Sequence, residues 1–127
     1  VEEQDIDVAF TAKREAFEEI GIPIADIEMI GKLSQTYIDV SNFNIHPFVG
    51  FLPFQPKYII QKSEVDQVID FPVKLLLDDN IRKKKDIQVR NFKLKAVPYF
   101  DYQNHVIWGA TAIMLQEFSK LLNKVNF

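Results

Sequence analysis

The stretch Arg14-Glu15-Ala16-Phe17-Glu18-Glu19-Ile20-Gly21-Ile22 decides how the rest of the chain is read. A helix is expected to run to about Ile20 from Asp5 or Asp7, either of which can cap its start. Val8, Ala9, Ala12, Ala16 and Ile20 recur near helical spacing and are expected to face a core, with Phe10 and Phe17 widening the apolar side. Gly21 stands where a left-handed C-terminal cap is wanted, and Pro23 prevents continuation. On such a helix Glu15 lies one turn before both Glu18 and Glu19. Three carboxylates then crowd the negative end of the helix dipole, where like charges destabilise one another and a Lys or Arg would serve stability better. A divalent cation offsets that repulsion, and hard cations such as Mg²⁺ prefer carboxylate oxygens together with water and phosphate. Arg14 is placed to orient one carboxylate through a charge-assisted pair. The plainer alternative is a solvated acidic face.

Outward from this helix the pattern turns extended. Strands are expected over Ile27–Leu33, Gln35–Val40 and Phe43–Leu52, with Ser41-Asn42 as a turn. Pro53 and Pro56 break the pattern, and Val65–Phe71 reads as a further strand. Pro72 begins a short helical turn through Leu77 that ends at Asp78-Asp79-Asn80. Arg82-Lys83-Lys84-Lys85 reads as a basic, solvated turn, and Val89–Leu94 with His105–Trp108 as a closing strand pair. Ala110 to about Lys124 is an amphipathic helix with Ala110, Ile113, Met114, Phe118, Leu121 and Leu122 as its apolar stripe. The order of helix, strands and helix predicts an α+β domain of the α/β/α sandwich kind, with a mixed sheet between helices.

The bulk numbers suit one domain. The chain has 127 residues, 47% of them hydrophobic, with 11 Phe and a net charge of −3. That balance argues against broad nucleic-acid binding, which needs clustered positive charge. It leaves room for a small phosphorylated ligand, because a metal supplies positive charge locally. With no Cys there is no disulfide framework, thiolate nucleophile or Cys-based zinc site. No apolar run is long enough to span a bilayer, and Val1–Asp7 is acidic where a signal peptide would be basic. The expected partners therefore include neither nucleic acid nor membrane, and the expected location is cytoplasmic.

Arg-Glu-hydrophobic-any-Glu-Glu-any-Gly-hydrophobic is the second half of the Nudix box, and Arg14–Ile22 resembles it at every fixed position. The first half departs from the common form: its Glu would fall at Ile6, and its glycine before Val1. The chain is therefore expected to be an N-terminally incomplete single Nudix hydrolase domain, 1–127, lacking the strand that carries that glycine. The resemblance implies Mg²⁺-dependent hydrolysis of a diphosphate linkage, with Mn²⁺ as a substitute. It implies that Glu15, Glu18 and Glu19 hold the metal, Glu15 and Glu19 being the pair that shares a face. The base would be one of these carboxylates or, as in other members, a later loop residue, for which Glu64 is the candidate. Glu64 as an ordinary exposed loop residue is the equal alternative. Arg14, Glu15, Glu18 and Glu64 make up the catalytic set.

Flanking segments resemble the coenzyme A pyrophosphatase branch. One is Leu33–Leu52, with Tyr37, Ser41, Phe43, Pro47, Val49 and Gly50; Asn42 stands where that branch has a glycine. Others are Glu64–Val68, Phe71-Pro72-Val73 and Ile107–Ala112. The branch resemblance implies coenzyme A or its derivatives as the small-molecule nucleoside diphosphate substrate, with 3′,5′-ADP and 4′-phosphopantetheine as products. Tyr37 and Ser41 are the candidate substrate contacts, and the basic run is a candidate for attracting a ligand phosphate. ADP-ribose or another nucleoside diphosphate derivative is the alternative substrate. A non-catalytic Nudix-fold module, or a plain interaction domain with an acidic helix, is the alternative of another class. A homodimer fits the superfamily. Trp108 is expected to anchor the core, with Gly109 allowing tight entry to the last helix; Phe43, Phe48 and Phe51 are expected to pack, and His46 and His105 to be surface or strand residues.

Overall fold

Helix α1 runs Glu3–Ile20 in the computed structural model, which describes residues 3–38 and 42–125. Asp5 and Asp7 lie inside this helix and not at its start. No Gly or Pro interrupts residues 3–20, and the Asp7 carbonyl accepts from Thr11 Oγ1 at 3.0 Å as a helix-interior group. The helix ends as expected: Gly21 N donates to Phe17 O at 3.0 Å, and Gly21 adopts φ +78°. A 3₁₀ turn, Ile24–Asp26, follows Pro23.

The chain divides into two units. The first comprises Val1–Gln35 and Asn44–Asp70, the second Thr36–Phe43 and Phe71–Phe127. In the first, β1 (Glu28–Lys32) pairs antiparallel with a strand at Phe48–Phe51. The register slips between Met29 and Gly31, which leaves Ile30 as the extra residue of a bulge. Gly50 admits the close approach of Ile27, whose Cγ2 would lie 2.8 Å from an added Cβ. β2 (Thr36–Ile38) and β3 (Phe43–Ile45) form their own two-stranded sheet where the chain passes between units. The expected continuous strand Phe43–Leu52 is thus two strands, β3 and β4 (Phe48–Phe51), separated by His46-Pro47. Pro47 lacks the N–H a ladder requires, while its carbonyl accepts from Leu33 N at 2.9 Å. Val65–Phe71 is not a strand; it is irregular backbone closing a loop.

The second unit holds the principal core. A 3₁₀ turn at Val73–Leu77, as expected, and another at Asp79–Ile81 lead into β5 (Arg82–Val89). β5, β6 (Phe92–Tyr102) and β7 (His105–Ile107) form an antiparallel sheet in that order. Arg82–Lys85 is therefore strand, not turn, because each of the four pairs across to Phe100, Tyr99, Pro98 and Val97. Val89–Leu94 is not one strand: it spans the end of β5, a turn at Arg90-Asn91 with Arg90 at φ +52°, and the start of β6, while His105–Ile107 is a strand as expected and pairs with Phe100–Tyr102. A bulge between Lys85 and Ile87 is tied by Asp86 Oδ1, which accepts from Ala96 N at 3.0 Å.

Helix α2 (Gly109–Lys124) starts from Gly109 at φ +70°. Its buried line is Ala112, Ser119 and Leu122, with Leu115 and Phe118 packed on the core; Ile113 and Leu121 of the expected stripe are exposed. The stripe is displaced because Ser119 is drawn inward. Arg82 Nη2 donates to Ser119 Oγ and to Leu76 O, both at 2.9 Å, and Ser119 Oγ donates to Gln116 O. A partly buried charged group needs such acceptors. Trp108 precedes α2 and is partly exposed, so Leu76, Phe100, Ala112 and Leu122 anchor the core instead. The α+β class holds. The described strands form three small sheets instead of one mixed sheet, since residues 52–81 between β4 and β5 contribute no strand. Among the described residues no helix is long and apolar enough to cross a membrane.

Candidate metal and hydrolysis site

All three candidate metal ligands lie on the last turns of α1, as the spacing requires. Arg14 Nη1 lies 3.1 Å from both Glu18 carboxylate oxygens. The pair is solvent-facing, so its contribution to stability is small, but it sets the direction of the Glu18 carboxylate. Glu15 and Glu19 stand four residues apart on one face, Glu15 exposed and Glu19 half-buried. The last turn of α1 carries no basic residue.

What meets the helix end is backbone. Gln61 N donates to Glu19 O at 2.8 Å, and Ile59 N donates to Ile20 O at 2.9 Å. Two orphan carbonyls at the negative pole are thereby capped by amide dipoles. Gly21 makes room for this approach: a Cβ there would lie 2.7 Å from Ile59 Cβ and 3.0 Å from Ile59 N. Beyond Gln61 the chain turns sharply, with Glu64 N and Val65 N donating to Gln61 O at 3.0 and 2.9 Å. Glu64 is exposed in this turn. The structure thus brings the backbone of the Glu64 turn to the end of the glutamate-bearing helix. The sequence reading missed this docking, because backbone amides make it and the side chains of Ile59 and Gln61 carry no signal of it.

Among the described residues no group of three His, Asp or Glu side chains is gathered as a ready-made metal cluster. Mg²⁺ does not need one: it is commonly held by one or two carboxylates, with substrate phosphates and water completing the octahedron. An all-oxygen donor set of Glu15 and Glu19, with Glu18 steered by Arg14, suits a hard cation of that kind. Tyr37, in the second unit, is exposed and donates from its hydroxyl to Asn42 Oδ1. Ser41 lies outside the described residues.

No protein-family model matches the chain. Curated relatives do. Over 120 residues the chain is 32% identical to "Nudix hydrolase 15, mitochondrial" of Arabidopsis thaliana, covering 90% of this chain and 41% of that protein. Over 119 residues it is 31% identical to "Uncharacterized Nudix hydrolase NudL" of Enterobacter sp. (strain 638), covering 94% and 61%. "Nudix hydrolase 3" of Caenorhabditis elegans is 26% identical over 132 residues, covering 89% and 53%. The chain thus spans less than two thirds of the length of each of these relatives.

Proposed function

We propose that this chain, which belongs to the Nudix hydrolase superfamily, carries the metal-binding helix of an enzyme that hydrolyses the diphosphate linkage of coenzyme A or its derivatives. The observation that carries the reading is the helix itself. Arg14, Glu15, Glu18 and Glu19 fall on its last turns in one register, and an ion pair already orients Glu18. The coenzyme A assignment is supported by the flanking segments Leu33–Leu52, Glu64–Val73 and Ile107–Ala112.

In this reading Glu15 and Glu19 would hold Mg²⁺, or Mn²⁺ in its place, with Glu18, paired to Arg14, beside them. The bound ion supplies charge neutralisation at the phosphoryl oxygens and a more acidic water. Glu64, in its turn against the helix end, accepts the proton of the attacking water. The water oxygen forms a bond to one phosphorus of the diphosphate. The bond from that phosphorus to the bridging oxygen breaks, giving 3′,5′-ADP and 4′-phosphopantetheine. Tyr37 and Ser41 contribute substrate contacts.

The test is Glu18→Gln and Glu19→Gln in the full-length protein, assayed with coenzyme A and Mg²⁺. Each is expected to lower kcat by about two orders of magnitude, the scale of losing a group that stabilises transition-state charge. Undiminished turnover in both variants would sink the ligand assignment. A panel of coenzyme A, ADP-ribose and nucleotide sugars decides the substrate; coenzyme A as the poorest of them moves the assignment to the nucleoside diphosphate alternative.

A further inference from the structure

Tyr58 and Asp70, twelve positions apart, are joined by a hydrogen bond: the phenol donates to Asp70 Oδ1 at 3.0 Å. The segment between them contains no regular element, yet its first half is tied down by hydrogen bonds. Near its start, Ile59 N and Gln61 N are bonded to the last carbonyls of α1. At its middle, Gln61 O accepts from Glu64 N and Val65 N, and Gln61 Nε2 donates to Ser63 Oγ at 3.2 Å. At Ile59 the backbone and not the side chain makes the contact, for the residue is 74% exposed while its amide is docked. The helix end has also been cut to receive it, since any side chain at Gly21 would strike Ile59.

We propose that this loop is a latch that positions Glu64 for hydrolysis, with Tyr58, Asp70 and Gly21 as its positioning residues. The inference rests on the reading in which Glu64 takes the proton from water. The latch has two halves. The backbone bonds fix where the loop meets the helix that bears Glu15 and Glu19. The Tyr58–Asp70 bond closes the loop's mouth, so the turn at Glu64 has one path available instead of many. A base has to stand within hydrogen-bond reach of the proton it removes, and a loop free to wander would meet that condition only part of the time. Burial and Asp70 both favour the neutral phenol, so the donor survives through the working pH range.

Tyr58→Phe keeps the ring and removes only the donor. It is expected to lower kcat about tenfold, well inside the hundredfold that a misplacement of roughly 1 Å costs, with KM and calorimetric Mn²⁺ affinity unchanged. Asp70→Asn, which retains an acceptor oxygen, should keep most of the activity, and Asp70→Ala should match Tyr58→Phe. The deciding measurement repeats Tyr58→Phe in a Glu64→Gln background, where it should cost nothing further. Equal losses with and without Glu64, or no loss from Tyr58→Phe, overturn the latch. Amide exchange at Ile59 and Gln61 should quicken in Tyr58→Phe, and unchanged protection there also overturns it. A full-length protein that cleaves no diphosphate overturns the parent reading and this one with it. Active protein with additive variants overturns only the latch.

Discussion

Leu76, in the second unit, is 2% exposed and clusters with Phe100, Ala112 and Leu122; in the first unit, among the described residues, the buried hydrophobic is Ile22 at 8%. The two regions are ordered by different means. Residues 71–125 have an apolar core with a part-buried Arg82–Ser119 bond at its edge. Helix α1 keeps Phe10 and Phe17 about half exposed, and its C-terminal end is instead capped by the amides of Ile59 and Gln61. The proposed metal ligands and the core are therefore separated along the chain. The carboxylates sit on a helix whose end is held by local backbone hydrogen bonds, contacts of the kind that can open without global unfolding.

Truncation of side chains should expose this contrast most strongly. Leu76→Ala is expected to cost about 2–5 kcal/mol in urea unfolding, as for other buried leucines. Phe17→Ala, at a half-exposed position, should cost no more than about 1 kcal/mol. Comparable losses from the two would erase the distinction between the units.

A smaller effect is expected at the junction of helix and loop. Gly21→Ala places a Cβ against Ile59 in a backbone with φ +78°, and forcing such a conformation costs about 1–3 kcal/mol. Faster amide exchange at Ile59 and Gln61 should accompany it. Unchanged exchange would mean that the capping bonds do not depend on this glycine.

The smallest effect is a pH dependence. Tyr58 has its pKa raised above 10.0, by burial first and then by the bond to and charge of Asp70. The folded value lies above the unfolded one, so the bond's stabilisation is complete below the ordinary phenol pKa. It is lost as pH rises through the folded value. Ultraviolet titration should find one tyrosine ionising late, and Asp70→Asn should bring it earlier. A Tyr58 midpoint unmoved by that substitution would remove Asp70 from the account.

Much of this was legible in the sequence where the signal is local. The stop at Gly21-Ile22-Pro23, the short helical turn after Pro72 and the glycine entry to α2 each follow from one residue's backbone chemistry. The glutamate spacing likewise needs only a helix. Failures came where a distant partner decides. Lys83 and Lys85 look like a basic turn until Asp101, 2.6 Å from Lys83 Nζ, and the Tyr99 ring below Lys85 Nζ are in place across the strand pair. Ser119 looks like the polar side of α2 until Arg82 needs an acceptor. The loop docked on α1 is invisible, because any residue except proline could supply its amides.

The central claim is that the end of α1 holds a divalent cation through Glu15 and Glu19 with Glu18 beside them. Calorimetric titration of Mn²⁺ into the full-length protein, compared with a Glu15→Gln/Glu19→Gln variant of intact fold, tests it most directly. The account predicts a saturable, one-site isotherm in the parent that the variant loses. Indistinguishable isotherms from the two proteins would contradict it.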